Sequence, residues 1–293
     1  MKLFLIIPVF NRKDTLINCL TLLRNQTFTD FTTIVVDDGS SDGTSRVLKS
    51  DFPEVKIVAG DGSWWWSKSI NEGIKLANEL GAEGIITMND DTFFENDYLE
   101  HLVTAINQNP KAIIGTLLLT KDNNPKIFYS GIYKINWLIS KSYKYYQIFE
   151  PFDPSMTGLH KSVLLTGTGM YVPMEVFNRI GYFDNINFPQ NLGDFDFILR
   201  AGKAGFETLI SWDARNYSII DKTGAGASFV KQSFWKFLKA FFKPRSRTNL
   251  AISFKYYWRH CPKILLPISF SIDKVRVIWA YFRNQRHYKT NKV

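Results

Sequence analysis

Four carboxylate sites have the residue types and placement to do chemistry: Asp37-Asp38, Asp61, Asp90-Asp91 and Asp194. Ile34-Val35-Val36 runs into the first pair and Ile85-Ile86-Thr87-Met88 into Asn89 and the third site, so two apolar strands end in adjacent acids. In open α/β sheets ligands bind just beyond the carboxyl ends of the strands. Oxygen-only sets such as Asp and Asn suit hard cations like Mg²⁺ or Mn²⁺, which keep some waters and also hold substrate phosphates. Asp194 opens a helical pattern, where a carboxylate is favoured as the anion and is therefore ready to accept a proton. Each acid also has a local alternative, since Asp is common in turns and helix caps. Their shared position at one sheet edge is what argues for a single polar crevice.

The elements that position them read as alternating strands and helices. Leu3–Val9, Thr32–Val36, Val55–Ala59 and Gly84–Met88 are expected strands, with helices after Asp14 and around Lys68–Leu80. This spacing predicts an α/β fold with a doubly wound, mostly parallel sheet. Further on, Asp97–Asn107 is an expected helix, Ile113–Leu119 a strand, Ile127–Phe149 an antiparallel excursion and Leu164–Val172 a strand interrupted by Gly167 and Gly169. Phe183–Leu192 reads as a loop, Gly193–Ala204 as a helix and Thr208–Ser211 as the last strand.

Several chemistries are excluded. The chain has no P-loop, no Gly-x-Gly-x-x-Gly turn after its first strand, no zinc spacing among its four histidines and no nucleophile elbow. Cys19 and Cys261 lie far apart, which predicts free thiols in a reducing compartment. The N-terminal apolar run is too short for a signal peptide, and no run is long enough for a spanning helix. The formal charge of +9 is a property of the tail: residues 229–293 hold 15 Lys and Arg against Asp273 alone, while residues 1–228 are net acidic by five. An acidic body, 1–228, is thus expected to carry a basic, aromatic-rich helical extension, 229–293.

Pro8-Val9-Phe10-Asn11-Arg12, followed by Val35-Val36-Asp37-Asp38-Gly39-Ser40-Ser41-Asp42-Gly43-Thr44, resembles the opening signature of the family 2 glycosyltransferases, which have the GT-A fold. Four spaced motifs in the same order extend the resemblance over about residues 1–225. It implies that Pro8, Phe10, Asn11 and Asp38 hold a nucleotide base, with Asp37, Asp61, Gly62 and Asp90 completing the donor-nucleotide set. Asp91 is the implied ligand of Mn²⁺ or Mg²⁺. Asp194 is the implied catalytic base of an inverting transfer, with Gly167 and Asp196 on the sugar or acceptor side. Asp221, where the family often has His, is a second implied metal ligand, and Lys222 a phosphate contact. Two positions depart from the pattern: Asn89 stands for the usual Asp, which predicts weaker metal binding, and Gly193 stands for the usual Glu, which predicts a looser base. These departures are the only support for an alternative, a non-catalytic saccharide- or membrane-binding module that kept the fold.

Trp64-Trp65-Trp66 cannot all face one core, so at least one is expected to be exposed or to line the crevice, where aromatic faces suit sugar rings. The alternative is that all three pack. The loop resembles a segment of a subgroup that transfers rhamnose or galactofuranose into bacterial surface polysaccharides such as O-antigen or capsule. The resemblance puts dTDP-rhamnose first as donor, then UDP-linked galactofuranose, galactose or N-acetylglucosamine, with a saccharide acceptor that is lipid-linked. The tail interleaves Phe234, Trp235, Phe237, Leu238, Phe241 and Phe242 with lysines, as in a helix lying on an anionic membrane surface at the inner face of the cell membrane. Arg245, Arg247 and Asn249 are candidate contacts of an acceptor diphosphate. Packing on the body and nucleic-acid binding are the competing readings of the tail, nucleic acid the weaker.

Overall fold

The computed structural model describes residues 1–219, 233–243, 246 and 248–290. Its first half is built on strand β1 (Leu3–Val9), with β2 (Phe31–Asp37), β3 (Lys56–Ala59) and β4 (Gly84–Thr87) parallel to it. Helices α1 (Lys13–Arg24), α2 (Thr44–Asp51) and α3 (Trp65–Glu79) make the crossovers. A strand covered on both faces has no polar side, and β1 shows why it is apolar throughout. Phe4 and Ile6 pack with Ile70, Ile74 and Ala77 of α3, whereas Leu3, Leu5 and Ile7 pack with Leu16, Cys19, Leu20 and Leu23 of α1. Contact with α3 is direct: a Cβ on Gly73 would sit 2.4 Å from Ile6.

Pairing of β1 with β4 ends at Ile6–Thr87, but pairing with β2 runs on to Val9–Asp37. Pro8 lies in that last stretch and has no N–H to give a ladder. β1 and β4 are therefore free to part there, at the point where strand order reverses, which is where an open α/β sheet forms its ligand crevice.

The chain continues through β5 (Thr92–Phe94), α4 (Tyr98–Gln108), β6 (Ile113–Thr120), β7 (Ile127–Tyr129), β8 (Ile132–Asn136), β9 (Lys141–Lys144), β10 (Leu159–Lys161), β11 (Met170–Pro173), α5 (Met174–Ile180), α6 (Gly193–Lys203) and β12 (Thr208–Ser218). The main sheet has the order β10-β12-β6-β11-β4-β1-β2-β3, with β5 on β12 and β7 on β6. β11 runs antiparallel to β4 and β6, while β6 and β12 are parallel. The expected antiparallel excursion is the β8–β9 hairpin together with β7.

Three expectations need correction. The strand expected over Leu164–Val172 exists only from Met170, because Gly169 takes φ +69° and turns the chain. The last strand runs on to Ser218, past an irregularity after Ser211 that a short reading stops at. The helix expected from Lys68 begins at Trp65.

Helices α7 (Phe234–Ala240), α8 (Leu250–His260) and α9 (Leu266–Thr290) form the C-terminal extension. Tyr256, Tyr257 and Cys261 at α8 cluster with Phe188, Leu192, Phe195 and Leu199 of the body. Of the readings of the tail, packing on the body therefore holds for α8. Both cysteines are free and buried. Among the described residues no helix is long and apolar enough to cross a membrane.

Candidate active site

The turn after β1 meets the turn after β2. Asn11, at φ +51°, donates its backbone N–H to Ser40 Oγ at 2.9 Å and accepts the Ser41 N–H on Oδ1 at 2.7 Å. Asp37 Oδ1 accepts the Ser40 N–H at 2.9 Å and closes the same turn. Asp38 is buried and caps α3 from a distance. Its Oδ1 accepts the Gly62 N–H at 2.9 Å, and its Oδ2 accepts those of Trp64 and Trp65 at 2.9 and 3.1 Å. The free N–H groups of a helix start favour such an anion. Three of the roughly four acceptor positions of a carboxylate are thereby filled, so Asp38 first of all shapes the loop. Asp61 is exposed and held by Ser63 through N–H and hydroxyl bonds of 2.9 and 2.5 Å. Phe10 is exposed and lies at the edge of Gly62.

The three tryptophans are all half-buried. Trp66 donates its indole N–H to Asn89 Oδ1 at 3.0 Å, meets Phe183 edge-on at 5.3 Å, and lies so close to Gly167 that a Cβ there would be 2.5 Å from its ring. Trp64 packs on the core with Lys68 Nζ 4.8 Å over its ring. Trp65 takes φ +60°, a conformation costly for a bulky side chain and found mostly where surrounding contacts impose it. Asn89, where the family usually has Asp, thus uses its side-chain oxygen as the acceptor for Trp66.

Arg12, which sequence reasoning passed over, is the largest addition to the site. Its guanidinium bridges the acid pair, Nη1 to Asp90 Oδ1 at 2.7 Å and Nη2 to Asp91 Oδ2 at 2.9 Å. The signal was present, as an Arg directly after the signature's Asn11. Burial, more than the nearby charge of Asp91, pushes the Asp90 carboxyl up to about 7 against the pull of Arg12. Asp90 Oδ2 is buried with no hydrogen-bond partner. An orphaned carboxylate oxygen beside half-buried Asp91 fits a hard cation, which one or two carboxylates hold together with phosphate oxygens. Among the described residues no three His, Cys, Asp or Glu side chains gather to hold a metal by themselves. Asp221, Lys222, Arg245 and Arg247 lie outside the described residues.

The raised Asp90 value has a testable sign. The folded chain keeps a proton that an unfolded carboxyl, near 3.8, has already lost, so this group's contribution to stability falls as pH rises from that value to about 7. Asp90→Asn cannot titrate. Urea unfolding should therefore show the unchanged protein losing, relative to Asp90→Asn, about 2–4 kcal/mol between the acid and the neutral end of that window. A constant difference would refute the burial argument.

Asp194, the second residue of α6, is half-buried. Its Oδ2 accepts the Gly167 N–H at 3.0 Å and its Oδ1 the Phe195 N–H at 2.9 Å. Leu192, at φ +66°, turns the chain into this helix. Gly193 leaves no room for a glutamate: a Cβ there would lie 2.6 Å from Ser67 Oγ and 3.1 Å from the Phe188 carbonyl oxygen. The close approach binds the loop 183–192 to α3, through Ser67 N–H to Pro189 O at 2.9 Å and Ser67 Oγ to Phe188 O at 2.6 Å. Asp194 therefore has a defined orientation without the glutamate. From Asp194 the contacts lead through Gly167 to the Trp66 ring, then to Asn89, Asp90, Asp91 and Arg12. A line of contacts thus joins Asp194 to the Asp90-Asp91 pair.

Two expected contacts lie elsewhere. Asp196, placed by the sequence on the sugar or acceptor side, is fully buried: Oδ1 accepts from Arg259 and His260 at 2.9 and 2.8 Å, and Oδ2 from Arg200 at 2.9 Å. No oxygen of it faces a saccharide; it ties α6 to α8. Burial opposes ionisation, yet these bonds, from His260 first, hold Asp196 below the ordinary carboxylate value. Asn249, a candidate diphosphate contact, is buried and caps α8, accepting the Ile252 N–H at 2.9 Å. The Asp196 role was hidden because Arg259 and His260 lie 63 and 64 positions on; the Asn249 cap is local and follows the ordinary preference of Asn for helix starts.

A mixed sheet with a crevice at the switch point, rimmed by these acids, defines the GT-A glycosyltransferase fold. The pattern of glycosyl transferase family 2 matches residues 4–168, more than half of the chain, and the chain belongs to that family. It is 29% identical over 133 residues to the GalNAc(5)-diNAcBac-PP-undecaprenol beta-1,3-glucosyltransferase of Campylobacter jejuni, covering 44% of this chain and 42% of that one. It is 33% identical over 131 residues to the O-antigen chain rhamnosyltransferase RfbN of Salmonella typhimurium, covering 43% and 40%. The chain thus matches about two fifths of the length of these relatives. Among solved structures, the mannosyltransferase of Pyrobaculum calidifontis in complex with GDP-Man and Mn²⁺ superposes with a TM-score of 0.60 at 14% identity, covering 97% of this chain and 73% of that one. Residues 1–349 of S. aureus TarS superpose with a TM-score of 0.60 at 15% identity, covering 100% and 92%. These share the fold.

Proposed function

We propose that this chain is a metal-assisted, inverting glycosyltransferase that moves a sugar from a nucleoside diphosphate donor to a hydroxyl of a lipid-linked saccharide in bacterial surface polysaccharide synthesis. The observation that supports it most is the unbroken line of contacts from Asp194 through Gly167, Trp66 and Asn89 to the Asp90-Asp91 pair. It supports a reading in which a carboxylate that takes a proton works beside carboxylates that hold a cation.

In this reading the turn at Pro8–Asn11 and the loop set by Asp38 receive the nucleoside, with Asp90 by the ribose. Asp91 is the residue that holds the cation, with Asp221 as a second candidate. The bound cation would supply charge stabilisation for the departing nucleoside diphosphate. Asp194 takes the proton of the acceptor hydroxyl while that oxygen bonds the anomeric carbon and the bond to the donor phosphate breaks, with inversion there. The strained Trp65 borders the sugar. Arg12 keeps the acid pair neutralised until the donor arrives. The first-choice donor is dTDP-rhamnose, followed by the UDP sugars; the sugar accords with the rhamnosyltransferase name of the Salmonella relative. A lipid-linked acceptor accords with the undecaprenol-linked substrate in the name of the Campylobacter relative. Residues 229–293 then serve as the part that lies on the inner membrane surface. Nucleotide titration with and without Mn²⁺ tests this reading.

A further inference from the structure

Helix α8 presents apolar side chains on two sides. One side, Tyr256, Tyr257 and His260, is buried on the body. The other leaves Phe254 and Trp258, one turn apart with rings 6.0 Å from each other, exposed at 44% and 54%. Ile264, in the turn after the helix, is 85% exposed, and Lys263 Nζ stands 4.0 Å over the Trp258 ring. Phe254 and Trp258 are also two walls of a cavity of about 280 Å³, closed by Asn187, Lys255 and Arg259. Arg259 is committed to Asp184 and Asp196 at 2.7 and 2.9 Å. The Lys255 ammonium has no ion pair or hydrogen bond among the described residues, so the cavity holds an unspent cation.

We propose that this side of α8 is a docking face for an anionic phospholipid surface, with a lipid phosphate entering the cavity at Lys255 and Phe254, Trp258 and Ile264 dipping into the interface. An unpaired ammonium beside exposed indole and phenyl rings is what an interface of phosphate over hydrocarbon selects. The charge of the region agrees, since residues 229–293 carry 15 Lys and Arg against one acid. The location gives the contact a use. Asn187 lies in the loop 183–192 directly before Phe188, whose carbonyl oxygen accepts from Ser67 Oγ beside Gly193. Arg259 grips Asp196, two residues past Asp194. A lipid-linked acceptor lying in the same surface would thus reach the crevice from the side of Asp194. This last step rests on the glycosyltransferase reading; the docking face itself does not.

The test is co-sedimentation of the full chain with vesicles of phosphatidylglycerol in phosphatidylcholine, compared with phosphatidylcholine alone. The expected result is binding that needs phosphatidylglycerol, weakens with added salt and drops about tenfold or more in Phe254→Ala/Trp258→Ala. Lys255→Glu/Lys263→Glu, two exposed lysines whose reversal leaves the core alone, should lose the phosphatidylglycerol dependence as well. Nucleotide binding should be unchanged in both. Vesicle binding equal to that of the unchanged protein in both variants would overturn the proposal. So would light scattering that finds a dimer which the aromatic variant dissociates, since the face would then pair with a second copy. Vesicle binding without nucleotide binding would leave the docking face standing and remove the enzymatic reading; the opposite pair of results would do the reverse.

Discussion

Asp194→Asn should bind the donor nucleotide as the unchanged protein does and transfer sugar roughly a hundredfold to ten-thousandfold more slowly, the range a positioned general base contributes. Asn has the same shape and keeps an oxygen for the Gly167 N–H, which now bonds Oδ2 at 3.0 Å. What it loses is the ability to accept the proton, together with the oxygen that accepts the Phe195 N–H. A fall in rate with unaltered donor affinity would separate the base from a merely structural helix cap, whose loss would show in stability instead. Single-turnover transfer alongside nucleotide titration reads both quantities. Near-normal turnover would remove Asp194 from the mechanism.

Asp196→Ala should destabilise the chain by about 3–5 kcal/mol, because truncating one partner of a buried ionic cluster leaves the others uncompensated. Those partners are Arg200, Arg259 and His260; Arg259 keeps Asp184 at 2.7 Å, but Arg200 and the buried His260 ring lose the carboxylate they share. Burial already pushes His260 below its ordinary value, with the Asp196 bond opposing, so the ring has no other anion to turn to among these contacts. Urea unfolding gives the measurement. An acceptor contact, the role expected from the sequence, would instead raise the acceptor KM and leave stability nearly untouched, so the two roles are separated by which number moves.

The fold was legible where burial on two faces forces a composition. β1, β2 and β4 are continuous apolar runs because both sides of the sheet are covered, and the acids that end them mark the crevice edge. Candidate site residues were legible at strand ends, Asp37-Asp38 and Asp90-Asp91, and at a helix start, Asp194. It was not legible where a side chain answers to a distant part of the chain. Asp38 caps a helix that starts 27 residues later, at Trp65, so the tryptophans read as loop although Trp65 and Trp66 open α3. Asp196 is held by residues 63 and 64 positions on. Asn89 and Gly193 read as weakened motif positions, yet one accepts the Trp66 indole and the other admits Ser67. At Gly193 the surroundings require the departure; at Asn89 the Trp66 bond is one an Asp could also accept.

The account depends on donor and cation meeting in one place. Titrating UDP and dTDP calorimetrically into the protein with Mn²⁺, with chelator, and into Asp91→Asn tests this most directly. The account predicts that a nucleoside diphosphate binds with Mn²⁺ and loses most of that affinity both on chelation and in Asp91→Asn. Nucleotide affinity that is the same in all three settings, or no nucleotide binding at all, would contradict it.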